Sequence, residues 1–195
     1  MNRLFMTAIA AVSLAGPAFA QGQQPQAPPT TSAFLRNMYN GSKNNIIRSA
    51  EKVPEDLYGL RPGPQMEVRT FGQHLAHVAK YNFLWCAQAK GEKNPNTDPD
   101  LEKSLKTKAE FQKALTDSFA YCDPVYQSLD EQNGAQVVEI QQENGRVTRN
   151  TRMALLMLNV VHNNELYGNL VTTMRIKSIV PPSSEPRPAQ GGRGQ

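Results

Sequence analysis

Any chemistry this chain performs with an imidazole falls to His74, His77 and His162, since the sequence holds no other histidine. His74 and His77 are three positions apart, so on a helix they share one face, which continues through Thr70, Tyr81 and Leu84. His162 lies far downstream, in line with Leu155, Leu158 and Leu166. Imidazoles delivered from two helices into one bundle can hold a divalent ion such as zinc or nickel. A single histidine on an apolar face is more commonly a hydrogen-bonded core residue, and that reading stays open for each position alone. Other chemistry has weaker support. Ser118 and Ser128 have no accompanying Asp/His pattern, and Gly191-Gly192-Arg193-Gly194 does not follow a strand as a phosphate loop must. Tyr81, Trp85, Tyr121 and Tyr126 read as core and edge aromatics rather than as a ligand cage.

Four amphipathic stretches must position these residues, and strand signals are weak everywhere. The first runs from about Ser32 to Lys52 with an apolar stripe of Phe34, Leu35, Met38, Ile46, Ile47 and Ala50, and Pro54 stops it. The second spans Thr70 to Lys90 and closes at Gly91. Residues 91–106, punctuated by Pro95 and Pro99, read as a long surface loop with one short turn. Thr107 and Glu110 form a capping-box signature before a third helix with Phe111, Leu115, Phe119 and Cys122 on one face. Residues 131–150 carry little pattern beyond turns at Gly134 and Asn144-Gly145. The fourth helix is expected from about Thr148 to Ser178, ended by Pro181-Pro182. The fold class is therefore all-α, a single-domain antiparallel four-helix bundle over residues 32–180.

The flanks have a different composition. Asn2 and Arg3 precede an apolar run from Leu4 to Gly16 that ends in Ala18-Phe19-Ala20, the pattern of a cleaved export signal over residues 1–20 and too short for a retained membrane span. Residues 21–31 and 181–195 are Pro, Gln, Gly and Ser with few apolar side chains, so they read as a disordered linker and tail. The mature protein is expected in a periplasm or outside the cell. A pI near 9.1 invites a nucleic-acid reading. However, Arg3, Arg187, Arg193 and Glu185 lie outside the bundle, leaving 18 basic and 16 acidic residues within it. Lys103, Lys106, Lys108 and Lys113 interleave with Glu102, Glu110 and Asp117 as on a solvated face, so neither a nucleic-acid partner nor a later membrane span is expected.

Several segments, taken in order, carry a resemblance. Ala50-Glu51-Lys52-Val53-Pro54-Glu55-Asp56-Leu57-Tyr58, Arg69 through Ala79 (RTFGQHLAHVA), His162 through Asn169 (HNNELYGN) and Val180-Pro181-Pro182-Ser183-Ser184 together resemble the DinB-like superfamily. The resemblance implies a four-helix bundle, commonly a homodimer, with a divalent metal held by one histidine on the second helix and an H-x-x-x-H pair on the fourth. By motif His77 takes the first role and His162 the second, while the remaining position is Leu166. Two readings follow. The chain is either a metal-dependent thiol transferase, isomerase or hydrolase using His77 and His162, with His74, Glu165 or water completing the shell, or a small-ligand-binding module whose metal site is degenerate. Leu166 favours the module, because two imidazoles alone bind zinc or nickel weakly.

Cys86 and Cys122 could pair in an oxidising compartment. If the second and third helices were antiparallel neighbours, however, Cys86 near the end of one and Cys122 about four turns into the next would differ in height by roughly 15 Å. Register thus argues for free thiols.

Overall fold

The computed structural model describes residues 28–142 and 144–186. The expected export signal at residues 1–20, most of the expected linker and the end of the expected tail lie outside the described residues. Four long helices are present: α1 (Thr31–Lys52), α2 (Phe71–Lys90), α4 (Lys108–Gln127) and α6 (Arg152–Ile176). Two single-turn helices, α3 (Leu101–Ser104) and α5 (Glu131–Gly134), and a hairpin of β1 (Val137–Gln141) and β2 (Val147–Thr151) fill the connections.

The helix ends follow from local chemistry. Thr70 and Gln73 close a capping box on α2, and Thr107 and Glu110 close another on α4, each satisfying amide N–H groups that have no partner in the first turn. Gly91 ends α2 in the left-handed region at φ 71°, where a side chain would be strained.

Side-chain partners give the helix directions. Gln112 donates to the Ala50 carbonyl and the Tyr39 hydroxyl to Asp123, so α1 and α4 run in opposite directions. Arg152 donates to the Ala89 carbonyl and Asn163 to Asn82, so α2 and α6 do too. In contrast, Gly72 faces Phe111, Asn82 donates to Ser118 and Cys86 is joined to Cys122, so α2 and α4 run in the same direction. The 91–106 segment is therefore a crossover along the bundle rather than a tight turn. That geometry overturns the register argument for free thiols. Parallel helices bring the two cysteines to one height, with Cα atoms 5.4 Å apart, and they form a disulfide.

Two further corrections concern the weakly patterned region. Thr148 to Thr151 belong to β2, so α6 begins at Arg152 with Thr151 as its N-cap. Asn144-Gly145 supplies the hairpin turn, with Gly145 at φ 78°. At the other end, residues 181–186 do not behave as a tail. Pro182 is buried, Tyr167 and Ser183 share a hydroxyl hydrogen bond, and Glu185 pairs with Arg48 and Lys52 on α1.

The core is built from stacked aromatics and one polar seam. Tyr39 stacks on Tyr126 with ring centroids 3.7 Å apart, and Phe71, Tyr58 and Phe111 cluster at the other end. Gly72 lets that cluster close: a Cβ there would lie 2.8 Å from the Phe111 ring. Gly72→Ala should lower stability by about 1–3 kcal/mol through overpacking, even though alanine favours helix, as read from urea denaturation midpoints. Between α2, α4 and α6, Asn159 and Asn163 both donate to Asn82 Oδ1 at 2.9 Å, while Asn82 donates to Ser118. All four side chains are fully buried. Buried amides of this kind hold helices in one register, because sliding any of them would leave polar groups without partners.

Candidate functional site

The antiparallel contact of α2 and α6 brings His77 and His162 together, with ring centroids 5.1 Å apart. His162 sits in an aromatic frame, 4.8 Å from Tyr81 and 5.0 Å from Trp85, ring centre to ring centre. Tyr81 and Trp85, read from sequence as core and edge residues, are half-buried and wall this site. His74 is buried one turn before His77. Leu166 is buried too, whereas Glu165 and Leu158 point to the surface, so Glu165 contributes nothing here and Leu158 is not a core residue.

Two residues that sequence reasoning passed over complete the arrangement. Glu102, on the single-turn α3 of the crossover, reaches His77 Nδ1 at 2.5 Å and accepts from Arg69 Nε at 2.6 Å. In sequence Glu102 looked like one more charge on a mixed-sign face. What distinguishes it is that Leu101 beside it is buried, which anchors the crossover and turns Glu102 toward α2. Arg69 stood in the quoted motif, but no spacing rule connects it to a glutamate across a loop.

The electrostatics follow from burial and these contacts. Burial by itself would raise the Glu102 carboxyl, yet hydrogen bonds from His77 and Arg69 outweigh it and hold the group at about 2. As a carboxylate it can only accept, so His77 Nδ1 carries the proton and Nε2 is left as the free ring nitrogen of the neutral form. Burial lowers His74 to about 4, with Arg69 and His77 acting in the same direction. Burial, followed by His77 and Arg69, lowers His162 to about 4 as well. The Nδ1 atoms of His74 and His162 are both buried without a partner.

These shifts make stability depend on pH. Folded His74 and His162 stay neutral down to about 4, while the unfolded chain takes up protons from 6.5, so their contribution is full above 6.5 and is lost as pH falls to 4. Glu102 extends the loss from 4.5 to about 2. Allowing for solvent screening at His162, unfolding free energy should fall by about 1–3 kcal/mol between pH 7 and pH 4.5. Urea midpoints across that range measure it, and His74→Leu should remove a large share of the slope.

A resident metal ion can be tested against this donor set. His77 gives one nitrogen and His162 another. Position 166 offers only methyl groups, Glu165 faces away, and the Glu102 carboxylate is committed to His77 and Arg69. Among the described residues no three His, Cys, Asp or Glu side chains converge as a metal would require. These residues do not fit a tightly held divalent ion.

The comparisons with known proteins agree with the architecture. The family model of the DinB superfamily matches residues 39–165, well over half of the chain, and takes in His74, His77, Glu102 and His162. This chain belongs to the DinB superfamily. Its DinB fold is similar to that of a conserved protein from Enterococcus faecalis, with TM-score 0.58 and 11% identity over 76% of this chain and 98% of that one. A DinB-like protein from Bacillus subtilis gives TM-score 0.52 and 21% identity over 75% and 93%. The mycothiol-dependent maleylpyruvate isomerase gives TM-score 0.54 and 15% identity over 71% of this chain, but the match spans only 60% of the isomerase. At such identities the likeness establishes the fold alone. No curated protein matches this chain in sequence.

Proposed function

We propose that this DinB protein is an exported small-ligand-binding module whose metal position has closed. The observation that carries the reading is Leu166, buried on α6 one turn after His162, where the DinB resemblance implies the ligand that completes the set. With that donor gone, His77 and His162 are partly desolvated imidazoles beside an aromatic wall, a setting suited to binding an organic molecule. Zinc or nickel bound by this pair would be weak and exchangeable. The enzymatic alternative, a metal-dependent thiol transferase or hydrolase, needs a third donor that no described residue supplies.

Several features support the remaining parts of the proposal. A buried disulfide suits an oxidising compartment, and residues 1–20 have the makeup of a cleaved signal, so we place the mature protein in a periplasm or outside the cell. Among the described residues no helix is long and apolar enough to cross a membrane. Met157 and Val161 stand exposed on α6 and favour a homodimer in solution.

Metal analysis of the untagged mature protein tests the central claim. After loading with zinc or nickel and dialysis at pH 7.5, the wild type should retain far less than one ion per chain. Stoichiometric metal that disappears in His77→Ala would overturn the proposal and restore the enzymatic reading.

A further inference from the structure

The two strands of the hairpin differ in how they are patterned. Residues 138 and 140 of β1 face the helices, Ile140 buried and Val138 packed against the core. Register pairs Val138 with Asn150 and Ile140 with Thr148, so Asn150 and Thr148 share this inner face. Val137 and Val147 lie on the outer side, 67% and 51% exposed. A hairpin that served only to cover the bundle would turn its valines in and its amides out. On β2 Val147 is turned out instead, while on the inner side Thr148 is half-buried and Asn150 stays exposed.

What this polar inner face meets is a cavity of about 500 Å³, inside the roughly 300–1,000 Å³ range of small-molecule sites. Tyr81 and Trp85 form its opposite wall, with ring centroids 4.7 Å apart and planes inclined at 49°. Asn144, in the hairpin turn, lines it beside Thr148 and Asn150. No charged side chain lines it among the described residues. The nearby Arg149–Glu139 pair lies on the outer face of the hairpin.

Hydrogen bonding within the hairpin sets what the polar wall can offer. Asn150 Oδ1 accepts from the Thr151 N–H, and Asn144 Oδ1 accepts from the Arg146 N–H. Thr148 Oγ1 accepts from Gln142. Each side chain thus spends acceptor capacity internally and keeps N–H or O–H donors for a guest. The guest must bring uncharged oxygen acceptors to this wall and a flat C–H face to Tyr81 and Trp85. An anion would find no countercharge, and a purely apolar ring would leave the donors unmatched. The geometry points to a binding site for a neutral polyhydroxylated six-membered ring, a pyranose or a cyclitol. The inference rests on the small-ligand reading above and supplies the ligand's chemical class.

Trp85 is the only tryptophan in the chain and lines this cavity as well as facing His162, so its fluorescence reports on both without interference from another tryptophan. Mature protein is titrated with methyl β-D-glucopyranoside and with myo-inositol, using cyclohexylmethanol and gluconate as apolar and anionic controls. Saturation-transfer NMR on the same samples detects contact with the ring protons directly. At least one neutral polyol should give a saturable response in both measurements, and the controls should give none. Asn150→Leu should weaken binding about fivefold or more, the loss of one hydrogen bond. The near-isosteric Thr148→Val should weaken it comparably while leaving the fold intact. No saturable response to either polyol overturns the inference, as does cyclohexylmethanol binding equally well and insensitively to Thr148→Val. Metal retention, measured separately, distinguishes the two claims: stoichiometric zinc defeats the metal-free reading, whereas polyol silence without metal defeats only the ligand class.

Discussion

Leu166→His should bind one zinc or nickel ion per chain, on the order of 100-fold more tightly than the wild type, by supplying a third protein ligand. Residues 162 and 166 are one helical turn apart on α6, so their side chains point the same way, about 6 Å apart at Cβ. His77 arrives from α2 with its ring centre 5.1 Å from that of His162. Glu102 accepts from His77 Nδ1 and so fixes the tautomer that presents Nε2. Two nitrogens are therefore in place, and the substitution adds the third. Burying an imidazole where a leucine packed costs stability without metal, so the variant's melting temperature should rise markedly when zinc is added. Binding should be tighter at pH 7.5 than at 5.5, because the introduced imidazole must lose its proton. His162, already lowered to about 4, adds little to that dependence. Leu166→Gln, of similar length but without the ring, should stay substoichiometric. If Leu166→His also fails to retain metal, the pocket has changed at more than this one position.

That test depends on residues of unequal legibility. His77, His162 and Leu166 could be found in the sequence because each stands at a fixed step along a helix, and helical period converts position into direction. Glu102 could not. It reaches His77 only because the crossover folds back along α2, and neither charge pattern nor local propensity describes where a seventeen-residue connection will run. The polar seam of Asn82, Asn159 and Asn163 was hidden for a related reason. Asparagine inside a helix reads as a weak point, and its value emerges only when α2 and α6 place their amides within hydrogen-bond reach.

The helices themselves were legible wherever a cap or a breaker marked their ends, as at Thr70, Gly91 and Thr107. The hairpin was not, because Thr148 and Asn150 on its inner face break the alternation by which a half-buried strand is recognised. The feature that concealed β2 in the sequence also gives the cavity its polar wall. Helix direction was the other illegible quantity. Four helices with polar connections are compatible with more than one path, and a long connection permits a parallel neighbour.

The parallel path leads to the other large expected effect, at Cys86 and Cys122. Both are fully buried, and their disulfide ties α2 to α4 across a sequence separation of 36 residues that contains the whole crossover. Without the bond the unfolded chain gains the freedom of that loop, which the chain-entropy relation values at about 4 kcal/mol. Removing both cysteines as Cys86→Ala with Cys122→Ala should therefore cost about 3–5 kcal/mol in urea denaturation, since two small vacated volumes in the core add to the loss. Unreduced protein in urea should show no free thiol. Folded protein should resist dithiothreitol until denaturant is added, because neither sulfur is accessible to an attacking thiolate. Two free thiols in unreduced, denatured protein would contradict the disulfide and would also remove the oxidising compartment's strongest structural support. The crossover feels the bond most directly. Glu102 is held against His77 by a segment whose two ends, α2 and α4, the disulfide keeps at one height, so the double alanine variant should also loosen the Glu102–His77 contact. In the folded variant this is read as a change in the His77 imidazole NMR signals, beyond what the loss of global stability alone would produce.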